Sequence, residues 1–167
     1  MPSYITGITP TDVWTSTAVP PFAPGDIGFT KDSAGVKGYI FVKDSGSAIT
    51  GDSYVCYIDG SAFTAVMCTT TTTAPGTGAG KAVGVARAAI AASGYGWLQI
   101  YGAGTVRVAA SAAAYTLINS TATAGTLDDD ATAGAEVIDG IALDVANGGS
   151  AAATAAWIQW PKVGRTL

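Results

Sequence analysis

Two stretches of this chain repeat one short pattern, and the pattern is that of paired β-strands. In the first stretch, Gly84-Val85-Ala86 is followed by Trp97-Leu98-Gln99. In the second, Gly140-Ile141-Ala142 is followed by Trp157-Ile158-Gln159. β-Branched and large apolar side chains stand at alternate positions, and turn-prone residues separate the two halves of each unit. The repeat therefore predicts a β-rich building block whose role is packing and assembly.

The chain is poor in charge for its length. Of its 167 residues 12% are charged, against ~25% in typical globular proteins, while 49% are hydrophobic. A surface with few charges suits a protein whose flanks are covered by neighbours, so we expect an oligomer rather than a monomer. The alternative is a Gly-, Ala- and Thr-rich β-domain that hydroxyl groups and exposed backbone keep in solution.

The distribution of charge argues against two classes of partner. The net charge is −4, and the eight basic residues are scattered without forming a run. Nucleic-acid binding relies on clustered Lys and Arg, so we expect no nucleic-acid partner. No apolar stretch reaches the ~20 residues that span a bilayer, and the N-terminus lacks the basic-then-apolar order of a secretory signal. We expect no membrane residence.

Side chains that perform chemistry are scarce in this sequence. It contains no histidine, which removes the commonest general base, the usual nucleophile–base pairs and the usual zinc ligands. Residues 76–81 resemble a phosphate-binding loop but lack its first glycine and its Ser/Thr. Asp128-Asp129-Asp130 is interpreted as a solvated turn rather than a cation site. We predict no enzyme activity, no catalytic residue, no cofactor and no metal.

The first 30 residues differ from the rest of the chain. They contain five of its seven prolines, and proline excludes helix and central strand. Residues 1–30 are therefore predicted to be an extended N-terminal arm, followed by an all-β domain over residues 31–167. The arm includes the apolar anchors Tyr4, Ile8, Trp14 and Phe22. Either these side chains wrap their own domain, or they lie on a partner.

From Gly25 onward the pattern predicts short strands in a small barrel or sandwich. Asp59-Gly60 is a two-residue hairpin signal, 102–104 is predicted to join two strands, and 69–80 to form a surface loop. Short helical turns are predicted at 88–92 and 111–114. Cys56 and Cys68 are expected to be buried, reduced thiols in neighbouring strands. The predicted strands cover residues 38–43, 53–58, 62–68, 81–87, 97–101, 105–109, 115–118, 137–143 and 155–160.

The tryptophans are the candidate contact residues of the domain. Trp97 and Trp157 occupy matching positions of the repeat, where they pack in the core or at a subunit contact. Trp157 and Trp160 are three apart, so on a regular strand they face opposite sides. Aromatic side chains are enriched at interface cores, which makes Trp160 a candidate anchor for a partner. Stacking on carbohydrate is the alternative use.

The order of these motifs is similar to that of small capsid accessory proteins of tailed phages, the decoration or cement proteins. The motifs are Gly84–Ala86, then Gly94–Ile100, then Gly102–Val108. The resemblance implies a β-barrel or β-tulip-like fold, a homotrimer on the outer capsid surface, and an arm that grips the major capsid protein. It also implies synthesis in the host cytoplasm and residence in the virion. A head-fibre or tail-associated module that binds a host carbohydrate is the alternative.

Overall fold

The computed structural model describes residues 4–77, 81–130 and 133–167, with the backbone alone for residues 4–6. In these residues the chain forms eleven β-strands and no helix, which confirms the predicted all-β class. The strands are β1 (Tyr4–Thr6), β2 (Ile27–Asp32), β3 (Gly35–Asp44), β4 (Val55–Ile58), β5 (Thr64–Met67), β6 (Val83–Ala86), β7 (Tyr95–Val108), β8 (Asn119–Ser120), β9 (Leu127–Asp128), β10 (Glu136–Leu143) and β11 (Ala152–Thr166).

The strands close into two rings that share β7. The first ring runs β3–β5–β4–β6–β7 and returns to β3, and the second runs β7–β11–β10–β8–β9 and returns to β7. β2 pairs with β3, and β1 pairs with β2 outside the rings. β2 spans residue 30, where the boundary between the arm and the domain was predicted. A closed ring leaves its strands without free edges. The molecule is thus two small barrels fused along one strand.

β7 serves both barrels because it is long and bent in its middle. Residues 95–101 pair with β3, and residues 101–108 pair with β11. The prediction that residues 102–104 form a tight turn between two strands is therefore wrong. Gly102 bends the strand at a φ of +95°. A Cβ at this position would lie 2.5 Å from the Val36 carbonyl oxygen, so the bend requires glycine.

Each barrel has its own apolar core, and β7 contributes to both. Leu98 and Ile100 belong to the core of the first barrel. Val106 and Val108 belong to a larger core that fills the second barrel and also includes side chains of β4 and β6. This second core joins the two barrels, so neither is expected to move independently of the other.

Cys56 and Cys68 are free, buried thiols, as predicted. Cys56 lies in the core of the first barrel and Cys68, one residue after β5, in the core of the second. Burial raises the pKa of both thiols well above the ordinary value for cysteine. The two side chains act as small apolar groups in separate cores.

The hairpin between β4 and β5 forms, but with a longer loop than Asp59-Gly60 predicts. β4 ends at Ile58 and β5 begins at Thr64, which leaves five residues in the connection. The Asp59 carboxylate accepts hydrogen bonds from the Ser61 hydroxyl at 2.6 Å and the Ser61 N–H at 2.7 Å. With the Ala62 N–H, these bonds lower the pKa of Asp59 to about 2. Side-chain capping by Asp59 thus selects the wider turn.

The predicted helical turns at 88–92 and 111–114 are absent. Ile90 is instead buried in a β-bridge with Ile49, and Ala112 is buried in the core of the second barrel. The strand predicted at 115–118 is also wrong, since β8 contains only Asn119 and Ser120. Residues 69–77 of the predicted loop form turns, and residues 78–80 lie outside the described part. At 88–92 and 111–114, the buried side chains of Ile90 and Ala112 take the place of the predicted helical turns.

Candidate functional site

The N-terminal segment covers the outer face of the first barrel around Trp97. The Phe22 ring packs 4.9 Å from the Trp97 ring, 5.5 Å from Phe41 and 6.0 Å from Trp14, measured between centroids. Ile8 is buried in the same cluster. Backbone hydrogen bonds of 2.9 and 2.8 Å join Trp14 to Tyr95 at the start of β7. Through this cover Trp97 is only 1% exposed.

Of the two alternatives for the arm, this packing is the one in which it wraps its own domain. Ile8, Trp14 and Phe22 are all directed at the first barrel. The Tyr4 backbone belongs to β1, and its side chain lies outside the described residues. Val19 remains 95% exposed on the outer side of the segment. A contact of the arm with a partner stays a prediction, and exposed positions such as Val19 are where it would occur without unpacking the barrel.

The second copy of the repeat also forms an antiparallel strand pair, in a register that differs by one residue from that of the first copy, and its tryptophan is partly exposed. In β10 and β11, Ile141 pairs with Ile158 in the core, and Ala142 pairs with Trp157 on the outer face. Trp157 is 39% exposed, whereas its counterpart Trp97 is almost fully buried. Of the two tryptophans of the repeat, Trp97 thus lies under the N-terminal segment and Trp157 is partly exposed to solvent.

A wide bulge in β11 presents Trp160 beside Trp157. Between the pairs Asp139↔Lys162 and Ile141↔Ile158, β10 has one residue, Gly140, and β11 has three. Trp160, in the middle of these three, has a φ of +47° and is 51% exposed. A non-glycine residue in this region is strained, and such strain is typical of functional positions.

The rings of Trp157 and Trp160 both contact Tyr101, so the prediction that the two tryptophans occupy opposite environments is wrong. The Tyr101 ring centroid lies 5.8 Å from that of Trp157 and 6.4 Å from that of Trp160. The left-handed backbone of Trp160 breaks the two-residue alternation on which the prediction depended. Tyr101, Trp157 and Trp160 are called the aromatic ridge below.

The sheet face next to the aromatic ridge carries several small apolar side chains. The ladder places Ala103 and Ala142 on either side of Trp157. Ala153 and Ala155 follow on the same face of β11, and both are exposed. Antiparallel sheets usually turn polar side chains towards water. Around Trp157 this face instead carries alanine and aromatic side chains, with Thr105 and Arg107 opposite Ala155 and Ala153. An exposed apolar patch of this kind is typical of an interaction surface.

Two of the cations that border this face make contacts within the chain. Arg107, which is opposite Ala153, stacks its guanidinium 5.0 Å from the centre of the Tyr54 ring. Arg87 pairs with Asp52 at 3.0 Å beside Thr105. Asp144, which lies beside Ala155, and Lys162 form no ion pair among the described residues.

An apolar pocket of about 290 Å³ opens beside Trp160. The pocket is lined by Ile40, Ile58 and Ile100 from the core of the first barrel, by Pro161 of the bulge and by Lys162, which follows the bulge. None of the ion pairs among the described residues involves Lys162. The pocket has room for one or two large side chains of a partner.

The acidic run at 128–130 is part of the second barrel rather than of this surface. Asp128 ends β9, and burial raises the pKa of its carboxyl. Asp129 accepts a hydrogen bond of 3.0 Å from the Ala113 N–H. Among the described residues no group of three His, Cys, Asp or Glu side chains has an arrangement that could bind a metal. In the same residues no helix is long and apolar enough to cross a membrane.

The sequence indicated Trp160 as a candidate anchor, but it did not indicate most of the residues that surround Trp160 in the structure. Tyr101 was hidden because its contacts depend on the bend of β7 and the bulge of β11. A weak signal did exist in residues 151–157, where alanine at alternate positions leads up to Trp157 without any charged residue. Comparison with known proteins adds no name to this surface: no family model matches the chain, and no curated protein matches it.

Proposed function

We propose that this protein is a virion structural protein that decorates the outer surface of a tailed-phage capsid as a homotrimer. The observation that supports the proposal most is the bare aromatic ridge beside an alanine-lined sheet face. In the proposal this surface contacts the major capsid protein, and Trp160 is the central anchor. The resemblance of the motif order to decoration proteins and the low charge of the chain favour the same assignment.

The energetics suit a protein that acts through many copies. Burial of one large apolar side chain contributes roughly 1.5–3 kcal/mol. Two exposed indoles and a pocket for a partner side chain therefore supply an interface of modest strength per subunit. A trimer that engages three equivalent positions multiplies retention without any new contact. Modest contacts repeated over a shell are sufficient to reinforce it.

Cosedimentation with phage heads tests the proposal. Heads purified without this protein are mixed with the wild-type chain, which is expected to sediment with them, and with a Trp157→Ala/Trp160→Ala double variant, which is expected to stay in the supernatant. Tyr115→Ala is the matched control, because Tyr115 is an aromatic residue 80% exposed outside the aromatic ridge. If the wild-type chain fails to bind any such heads, the proposal is wrong.

Deleting the arm is a less clean experiment. Residues 8–22 cover Trp97 and Phe41, so a truncated chain exposes its own core and loses stability before any effect on binding is measured. Point variants of the exposed Val19 separate the two roles. In the proposal, Val19→Asp leaves the fold intact and weakens binding to heads if the arm contributes to the contact.

A second candidate function is carbohydrate binding at a host surface. It is favoured by the exposure of Trp157 and Trp160, because an exposed indole stacks on the apolar face of a sugar ring. Titration of the wild-type chain with host-surface oligosaccharides, followed by tryptophan fluorescence, tests it. A saturable signal that the double variant loses supports this candidate, and no signal with any oligosaccharide rejects it.

A further inference from the structure

We propose that the aromatic ridge is a docking surface for a proline-framed segment of another protein chain, with an aromatic side chain as its anchor. The inference rests on the proposed function, because it describes the chemistry of the partner at that same surface. Two independent observations point to it. The first is the packing of Phe22 on Trp97, the first tryptophan of the repeat. The second is the exposed ring surface and the pocket beside Trp157 and Trp160.

The covering of Trp97 supplies an internal precedent. The side chain that packs on it, Phe22, stands in the sequence Pro20-Pro21-Phe22-Ala23-Pro24. Prolines fix φ, so such a segment has few conformations before it binds and loses little conformational entropy when it docks. The ring of Phe22 meets that of Trp97 edge to face at 4.9 Å. A proline-framed aromatic segment is therefore the cover that the first tryptophan of the repeat has in this molecule.

The aromatic ridge offers side-chain contacts without main-chain ones. Both edges of β11 beside Trp157 are already paired, with β7 through Ala103 and with β10 through Ala142. A partner segment therefore cannot pair with β11 as another strand at this position. Proline-rich segments suit such a surface because proline has no N–H to donate, and they dock on exposed aromatic rings in other recognition systems.

The pocket beside Trp160 has the size and polarity for the anchor. Its volume of about 290 Å³ and its isoleucine lining suit one aromatic side chain with an adjacent proline. The arrangement Tyr101–Trp157–Trp160 then provides the ring surface along which the rest of the segment lies. Lys162, which lines the pocket, is free to meet a carboxylate or carbonyl of the same segment.

A peptide with the sequence of residues 17–26 of this chain is the probe. It is labelled with a fluorophore and titrated with the full-length protein while anisotropy is recorded. We expect saturable binding that weakens about tenfold or more in Trp157→Ala and in Trp160→Ala, and that is unchanged in Tyr115→Ala. A peptide with Phe22 replaced by alanine is expected to bind about tenfold more weakly to the wild-type chain.

The outcomes separate this inference from the proposed function. Peptide binding that is equal in the wild-type chain and in Trp157→Ala places the peptide elsewhere, for instance on Trp97 by exchange with the arm, and overturns the inference. Absence of peptide binding, or an oligosaccharide that binds the aromatic ridge where the peptide does not, also overturns it. If heads still require Trp157 and Trp160 while the peptide does not bind, the proposed function stands and this inference fails. Thermal unfolding of each variant verifies that the fold is retained.

Discussion

Replacing Phe22 by alanine tests whether the N-terminal segment is part of the folded domain. Removal of a phenylalanine from a core costs about 3–5 kcal/mol. Phe22 is half-buried, with three aromatic rings at 4.9–6.0 Å between centroids. We therefore expect the isolated protein to lose about 2–3 kcal/mol of its free energy of unfolding. For a chain of this length the melting temperature falls by about 4–12 °C.

Urea denaturation and differential scanning calorimetry measure the effect, and Val19→Ala is the matched control. Val19 belongs to the same segment but is 95% exposed, so its replacement is expected to change stability by less than about 0.5 kcal/mol. If Phe22→Ala is as stable as the control, the segment does not pack on Trp97 in solution. An arm that waits for its partner before it folds would give that result.

Three further predictions concern the bulge, the thiols and one turn. Gly140→Ala is expected to lower the free energy of unfolding, measured by urea denaturation, by about 2–4 kcal/mol, because the φ of Gly140 is +83° and the new Cβ would lie 2.5 Å from the Gln159 carbonyl oxygen. Gly134 is also left-handed but has open space around it, so Gly134→Ala is expected to cost less. Equal losses in the two variants would refute the clash at Gly140. Cys56 and Cys68 are expected to resist Ellman's reagent in the native protein and to react after denaturation; labelling of the native protein would contradict their burial. Because the pKa of Asp59 is about 2 in the folded chain against an ordinary 3.8, its stabilising effect is present above about pH 4 and is lost as the pH falls to about 2. Ser61→Ala removes the largest cause of the lowered pKa, the hydrogen bond from the Ser61 hydroxyl, and is expected to raise the titration midpoint of Asp59 measured by NMR. An unchanged midpoint would show that the hydroxyl is not responsible.

The sequence predicted the strand content well because hydrophobic alternation reports burial directly. The strand pairs β6–β7 and β10–β11 follow from the repeat, and both occur. The closure into two rings could not be read from the repeat, since it depends on the bend at Gly102 and on a single parallel pair, Val108↔Leu127. A one-residue bend in a long strand leaves no trace in the periodicity.

The candidate surface could be predicted only in part, for a similar reason. Trp160 was identified from its residue type and its position near Trp157. Its true environment depends on a three-residue bulge opposite Gly140, which reverses the face that simple alternation assigns. The arm anchors Ile8 and Phe22 were recognised as residues that must be buried, but composition does not tell which barrel, or which chain, buries them.

A density map of the assembled particle at side-chain resolution shows which face of the protein meets the shell. We expect three copies of the chain around each binding position, with Trp157, Trp160 and Tyr101 buried against the major capsid protein. The same map is expected to show Trp97 covered by the N-terminal segment of its own chain. Copies that sit on the shell through another face, with the aromatic ridge open to solvent, would contradict this expectation.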